Sequence, residues 1–246
     1  VRTTHRLRLV LASASPARRK LLQAAGIEPE VLVSGVDESQ VDPSSPGALS
    51  LTLAQLKART VADRIARITG AGAGTGTGTN GTSTNGTGSE PADPRTLVLG
   101  CDSVLAFDGE ILGKPADAEE ATRRWQAMRG KSGVLHTGHC LVDLSGRREV
   151  ARVAATAVHF AEITDDEIAA YVATGEPLHV AGAFTIDGLG GPFVDRIEGD
   201  PGTVIGLSLP LFRDLLGQLD LRITDLWTSR AATSTDDAGP AVGTAR

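Results

Sequence analysis

The sequence predicts an α/β protein built on a mixed sheet, and three observations carry that prediction. Strand-like and helix-like runs alternate along most of the chain. Two long β-rich stretches meet at Ser145-Gly146, which makes an antiparallel pair. Of the 246 residues 41% are hydrophobic, enough for a substantial core in one large domain or two lobes.

Taken in order, residues 7–12 and 30–33 read as short strands around a helix over 16–25 that opens with Ser15-Pro16. Apolar residues at Leu49, Leu53, Leu56, Val61 and Ile65 repeat with helical spacing, predicting a helix over 47–68. Strands follow at 96–99 and 104–107, the latter turning through Asp108-Gly109 into 110–112. Residues 118–129 form a helix with acids at its start and Gly130 as its stop. The long strands span 133–144 and 147–163, and two helices close the fold at 165–173 and 210–219.

Residues 69–94, almost entirely Gly, Thr, Ala, Ser and Asn, bury too little apolar surface to offset their ordering entropy and read as a disordered insertion within the 1–227 domain. The tail at 228–246 has the same character. No run approaches the roughly 18 apolar residues of a membrane span, and the first residues carry no secretory apolar stretch, so a soluble cytoplasmic protein is expected. Cys101 and Cys140 are too few for a disulfide framework and lack zinc spacing. A net charge of −6 with 3% aromatics argues against nucleic acid as a partner. Any polyanion must be small and held in a local basic pocket.

The first helix carries its charge at the wrong end. After Ser15-Pro16, a capping box would place an acid at position 18, but Arg18 and Arg19 stand there and oppose the helix dipole. Elsewhere the chain caps conventionally, as in Thr164 followed by Asp165, Asp166 and Glu167. The inverted turn becomes favourable once an anion sits on it, with helix amides, the Ser13 and Ser15 hydroxyls and a guanidinium forming a phosphate cradle. The bland alternative is a pair of solvated arginines.

Lys57 interrupts an apolar helix and, on its own, reads as solvated; Lys114, between Gly113 and Pro115, is held extended and reaches a cleft or solvent. Asp102 follows a buried strand, at whose carboxyl end open α/β sheets bind ligands. It serves there either as a metal-binding or water-activating carboxylate or as a simple turn cap. Glu38, with Asp37 as the alternative, offers a second oxygen ligand. His136 and His139 on one strand point to opposite faces, and no histidine has metal spacing. Gly188-Leu189-Gly190-Gly191 lacks a dinucleotide fingerprint and reads as a turn.

Together these residues form a pattern. The run LVLASASPARRKLLQAAGI over 9–27 is followed by Val36-Asp37-Glu38 and then by Leu53-Ala54-Gln55-Leu56-Lys57-Ala58. Beyond the insertion come Gly100-Cys101-Asp102-Ser103, Leu112-Gly113-Lys114-Pro115, YVATGEP over 171–177, Ala181-Gly182-Ala183-Phe184 and Val204-Ile205-Gly206-Leu207. The chain resembles the Maf family of nucleoside triphosphate pyrophosphatases over residues 7–216 apart from the insertion. The resemblance implies an elongated mixed sheet with flanking helices, two lobes around a cleft, and a homodimer. It also implies hydrolysis of the α–β phosphoanhydride of a nucleoside triphosphate with a divalent cation, Mg²⁺ or Mn²⁺. Asp102 would be the base; Arg18, Lys57 and Lys114 would bind phosphate; Ser15 and Glu38 also fall on the family's motifs.

Three positions depart from the branch associated with dTTP and UTP, which shows Arg, Thr and Gln where this chain has Ala17, Ser103 and Asp187. Acids at Asp187, Glu176 and the Glu198 to Asp200 stretch resemble instead a branch acting on 7-methyl-GTP. An acid can accept from a guanine edge or pair with a cationic methylated base. Nucleotide-pool sanitation or arrest of cell division at the septum is the implied role. The competing expectation is a nucleotide-binding regulator of septum formation that does not turn its ligand over.

Overall fold

Alternating apolar runs build one sheet, and the computed structural model describes it for residues 7–38, 41, 45–71 and 94–227. Its strands are β1 Leu7–Leu11, β2 Glu30–Val31, β3 Arg95–Phe107, β4 Glu110–Leu112, β5 Ser132–Asp143, β6 Arg148–Phe160 and β7 Val194–Glu198. They lie in the order β2-β1-β3-β5-β6-β7, with β4 beside β3. β1 runs parallel to β2 and β3, and every other pairing is antiparallel, so the sheet is mixed as expected. The helices are α1 Pro16–Ala24, α2 Pro46–Ala71, α3 Ala118–Met128, α4 Asp165–Ala173, α5 Pro201–Ile205 and α6 Leu209–Gln218.

Four differences from the sequence reading are informative. The strands expected at 96–99 and 104–107 are one continuous strand of 13 residues, because Cys140 to Thr137 of β5 pair with Gly100 to Ser103 and override their weak strand preference. α2 continues through Thr69 to Ala71, residues assigned to the insertion; 72–93, the tail and His5 lie outside the described residues. The strand expected over 30–33 pairs for only two residues, Glu30 and Val31. β7, mostly polar, and α5, a single short turn, carry too little periodicity to be read from sequence.

The first half of the sheet is covered on both faces. On one, Leu22 of α1 and Leu211, Phe212, Leu215 and Leu216 of α6 pack on Leu9, Leu11, Leu97 and Leu99. On the other, Ala54, Ala58, Val61, Ala62 and Ile65 of α2 pack on Val10, Val98 and Cys140. The small residues let α2 approach closely: a Cβ on Gly100 would overlap the Ala54 carbonyl, and one on Gly138 the Ser50 carbonyl. The far half of β3, β5 and β6 is organised around Trp125 of α3, whose ring meets Phe160, Tyr171 and Phe193 edge-on at 5.6 to 5.9 Å between centroids. None of the described helices is long and apolar enough to cross a membrane.

Candidate active site

A notch in the sheet sets the site. Along one edge of β3, β1 pairs as far as Leu99 and β4 begins at Leu105. Among the described residues no strand pairs that edge in between, and Asp102 and Ser103 lie there. Asp102 is therefore in the middle of its strand rather than at its end. The carboxyl-end crevice comes instead from β1, which stops at Leu11 and lets both faces of the sheet meet beside β3. Alternation along β3 then sends Asp102 towards α2 and Ser103 towards α1 and α5.

On the α2 side, Lys57 Nζ lies 2.5 Å from Asp102 Oδ1 and 2.7 Å from Glu38 Oε1. The lysine is buried and paired, not solvated as its helix pattern alone suggests. Asp102 is 7% exposed, and burial pushes its carboxyl above the usual carboxylate range, although Lys57 and Arg18 pull it down. A carboxylate so placed is a stronger proton acceptor than a solvated aspartate.

On the opposite face, Ser15 caps α1, its side chain accepting from the Arg18 amide, and Pro16 occupies the first helical position. Arg18 stands one turn before buried Leu22 and turns inward with it; Arg19 turns outward and pairs with Glu28 at 3.1 Å. Arg18 Nε donates to the Gly206 carbonyl at 2.7 Å, Nη1 to Ser13 Oγ at 2.9 Å and Nη2 to Ser103 Oγ at 3.1 Å. All three acceptors are neutral, and Arg18 forms no ion pair among the described residues. A guanidinium has five N–H groups and cannot shed its proton, so a buried charge with two free donors remains. The inverted first turn is thus a cationic turn facing the notch.

The other expected site residues are more dispersed. Lys114 is exposed after β4 and makes no hydrogen bond or ion pair among the described residues, so the structure does not bring it into contact with the Lys57 cluster. Its loop is anchored instead at Gly113, whose carbonyl accepts from Arg124 Nη1 at 2.6 Å and from the Gly182 amide at 3.1 Å. Ala17 is half-buried in the first turn of α1, and Asp187 is exposed on a loop. The Glu176 carboxylate is consumed in holding that loop, accepting from Tyr171, Thr185, Leu189 and Gly190. Glu198 pairs with Arg196, and Asp200 caps α5. Of these four acids, Asp187 alone has no partner among the described residues. His136 faces α2 whereas His139 faces α6, the opposite orientations expected.

Sequence reasoning missed the Gly206 carbonyl and Thr137. Gly206 lies in the Val204-Ile205-Gly206-Leu207 motif but acts through its backbone, which side-chain chemistry does not reveal. Thr137 is a fully buried hydroxyl on β5 with no local signature.

Fold and site together define a class: α/β proteins in which an unpaired buried cation and a carboxylate pair share one sheet-edge crevice. The family model described as Maf-like protein matches residues 8–219. The chain belongs to the Maf-like family. A relative from Salinispora tropica, named nucleoside triphosphate pyrophosphatase, is 62% identical over 92% of this chain and 90% of its own length. Relatives of the same name from Streptomyces avermitilis and Trichormus variabilis are 53% and 49% identical, covering 92% and 89% of this chain and 97% and 96% of their own lengths.

Proposed function

We propose that this chain is a nucleoside triphosphate pyrophosphatase, hydrolysing the α–β phosphoanhydride to a monophosphate and pyrophosphate. The carrying observation is Arg18, a buried charge with no carboxylate partner among the described residues, set beside a buried carboxylate whose proton affinity is raised. Phosphoryl transfer needs positioning and cancellation of spread negative charge more than covalent chemistry. In this reading the free N–H groups of Arg18 hold phosphate oxygens. Asp102 orients the attacking water and accepts its proton, and the bridging oxygen leaves with pyrophosphate. Lys57 favours the ionised form of Asp102 and adds positive charge, and Lys114, which stands apart from this cluster on the β4 loop, adds a further cation by moving towards the bound phosphates.

The donor set fits a divalent cation that arrives with the nucleotide. Among the described residues no cluster of three or more acids, histidines or cysteines forms a resident cage. Glu38 and Asp102, gathered on one ammonium, supply the one or two carboxylates that Mg²⁺ or Mn²⁺ takes beside phosphate oxygens. Once bound, such an ion neutralises and polarises phosphate oxygens. Asp187, as the one of these acids without a partner among the described residues, is the group offered to a 7-methylguanine-type base. A homodimer, a cytoplasmic setting and a role in nucleotide-pool sanitation or septum arrest complete the proposal; light scattering tests the dimer.

The test is pyrophosphate release from a panel of triphosphates, including 7-methyl-GTP, dTTP and UTP, with Mg²⁺ or Mn²⁺. Release is expected from the native chain, and Asp102→Asn should lower it by about 100-fold or more while nucleotide binding persists. Tight binding by the native chain without release from any triphosphate would favour the regulatory reading.

A further inference from the structure

The guanidinium of Arg18 is held from behind by groups that lead to a single short helix. Nε reaches the Gly206 carbonyl directly. Nη2 reaches Ser103 Oγ, which lies 2.8 Å from Thr137 Oγ1, and Thr137 Oγ1 lies 2.7 Å from the Thr203 carbonyl. Gly206 and Thr203 belong to α5 and its C-terminal cap, so both anchors end on one structural unit.

The direction of this relay follows from proton counting. A carbonyl only accepts, so the Thr137 hydroxyl proton goes to Thr203. Ser103 must then donate to Thr137, and its lone pairs are left to face Arg18, which only donates. One N–H remains on Nη1 and one on Nη2 after the Ser13 and Ser103 bonds, a pair suited to two oxygens of one phosphate.

We propose that Thr137 is a positioning residue for phosphate binding, acting through Ser103 to fix the plane of the Arg18 guanidinium. The inference rests on reading Arg18 as a phosphate ligand and deepens it, because nothing about Thr137 brings it near a substrate. Thr137 is fully buried and its strand is closely held: its carbonyl is bonded to His139, and neighbouring Gly138 lies against the backbone of α2. Without the Thr137 hydroxyl, the Ser103 proton has lost its acceptor. It turns towards Nη2, where a donor meets a donor and the fork rotates away.

The experiment is a set of double-mutant cycles read by two probes: calorimetric binding of inorganic tripolyphosphate, and KM and kcat for pyrophosphate release. Thr137→Val and Ser103→Ala should each weaken tripolyphosphate roughly tenfold and raise KM similarly, with a smaller change in kcat. Thr137→Ser should restore both to within about twofold. In an Arg18→Lys background, which keeps a charge but has no fork to orient, the same substitutions should change binding by less than about twofold. A purely structural Thr137 gives the same loss in both backgrounds, and that result overturns the proposal, as does a folded Thr137→Val protein that binds normally. If Thr137→Val does not fold, Ser103→Ala breaks the same relay from the half-exposed side and carries the cycle. A native chain that binds tripolyphosphate yet hydrolyses no triphosphate defeats the enzymatic reading alone, leaving the relay to be decided by the binding cycle. Native protein that fails to bind tripolyphosphate overturns the relay.

Discussion

The entrances to α1 and α6 are built from the same parts. In each a serine side chain, Ser15 or Ser208, accepts from an amide of the first turn, a proline occupies one of the first two positions, and a basic side chain lies buried beside the cap. At α6 that side chain is His139. Its Nδ1 faces the Thr137 carbonyl at 3.0 Å, and its Nε2 accepts from the Ser208 amide at 2.8 Å. Burial pushes the imidazole down to about 4, so the ring stays neutral and both nitrogens are used. At α1 the side chain is Arg18, which can neither lose its charge nor accept from an orphan amide. One entrance is completed by a neutral ring of the protein itself, whereas the other holds a charge that no carboxylate among the described residues pairs with.

The sharpest break of this comparison is Arg18→Gln. Pyrophosphate release should fall on the order of 100-fold, as when a pre-placed donor is removed from an oxyanion site. The thermal midpoint should not fall, because an uncompensated buried charge has been removed. A midpoint that drops as far as it does in a disrupted cap at α6 would make Arg18 structural and erase the contrast.

The second test uses pH on the α6 side. In the unfolded chain His139 takes up a proton near its ordinary value of 6.5, whereas in the folded chain it resists until about 4. Its contribution is therefore complete above about 6.5 and is lost as pH falls towards about 4, with a magnitude on the order of 3 kcal/mol. Urea unfolding at pH 7.5, 5.5 and 4.5 should show that decline, and His139→Gln should remove this component of the slope. An unchanged slope would mean that the ring is not held neutral.

The smallest effects separate the two caps. Ser208→Ala should cost about 1 kcal/mol of stability and leave kcat/KM within about twofold. Ser15→Ala should cost less, since its bond to the Arg18 amide is longer, at 3.4 Å, and less buried than the 3.2 Å bond from Leu211 to Ser208. Chemical denaturation of both variants measures the difference; a larger loss at Ser15 would reverse the assignment of roles.

Much of this fold was legible in the chain. Hydrophobic periodicity located α1, α3, α4 and α6 to within a residue or so, and the reversed charge at Arg18 singled out α1 before any coordinates. Which of Arg18 and Arg19 turns inward was not legible from dipole arguments, because both oppose the dipole equally; Arg18 does so because it shares a face with Leu22. Lys57 reads as solvated because a helix pattern reports which face is apolar but not which carboxylates the tertiary fold brings to it. The break between the two predicted pieces of β3 arose from Gly100 and Asp102, whose local preferences are overruled by pairing with β5. Lys114 remains legible only as part of a motif, since its loop is fixed through backbone groups of its neighbours.

The glycines at 100 and 138 give this site a dependence on geometry that its own residues do not display. They let α2 settle closely onto the sheet at Ser50, Ala54 and Ala58, and Lys57, which pairs with Asp102, lies on that helix between Ala54 and Ala58. Adding one methyl group at either glycine would lift the helix like a shim under a lever and draw the ammonium off its carboxylates. Seating depth thus bears on the Lys57 ion pairs, and two positions with no side chain help to set it.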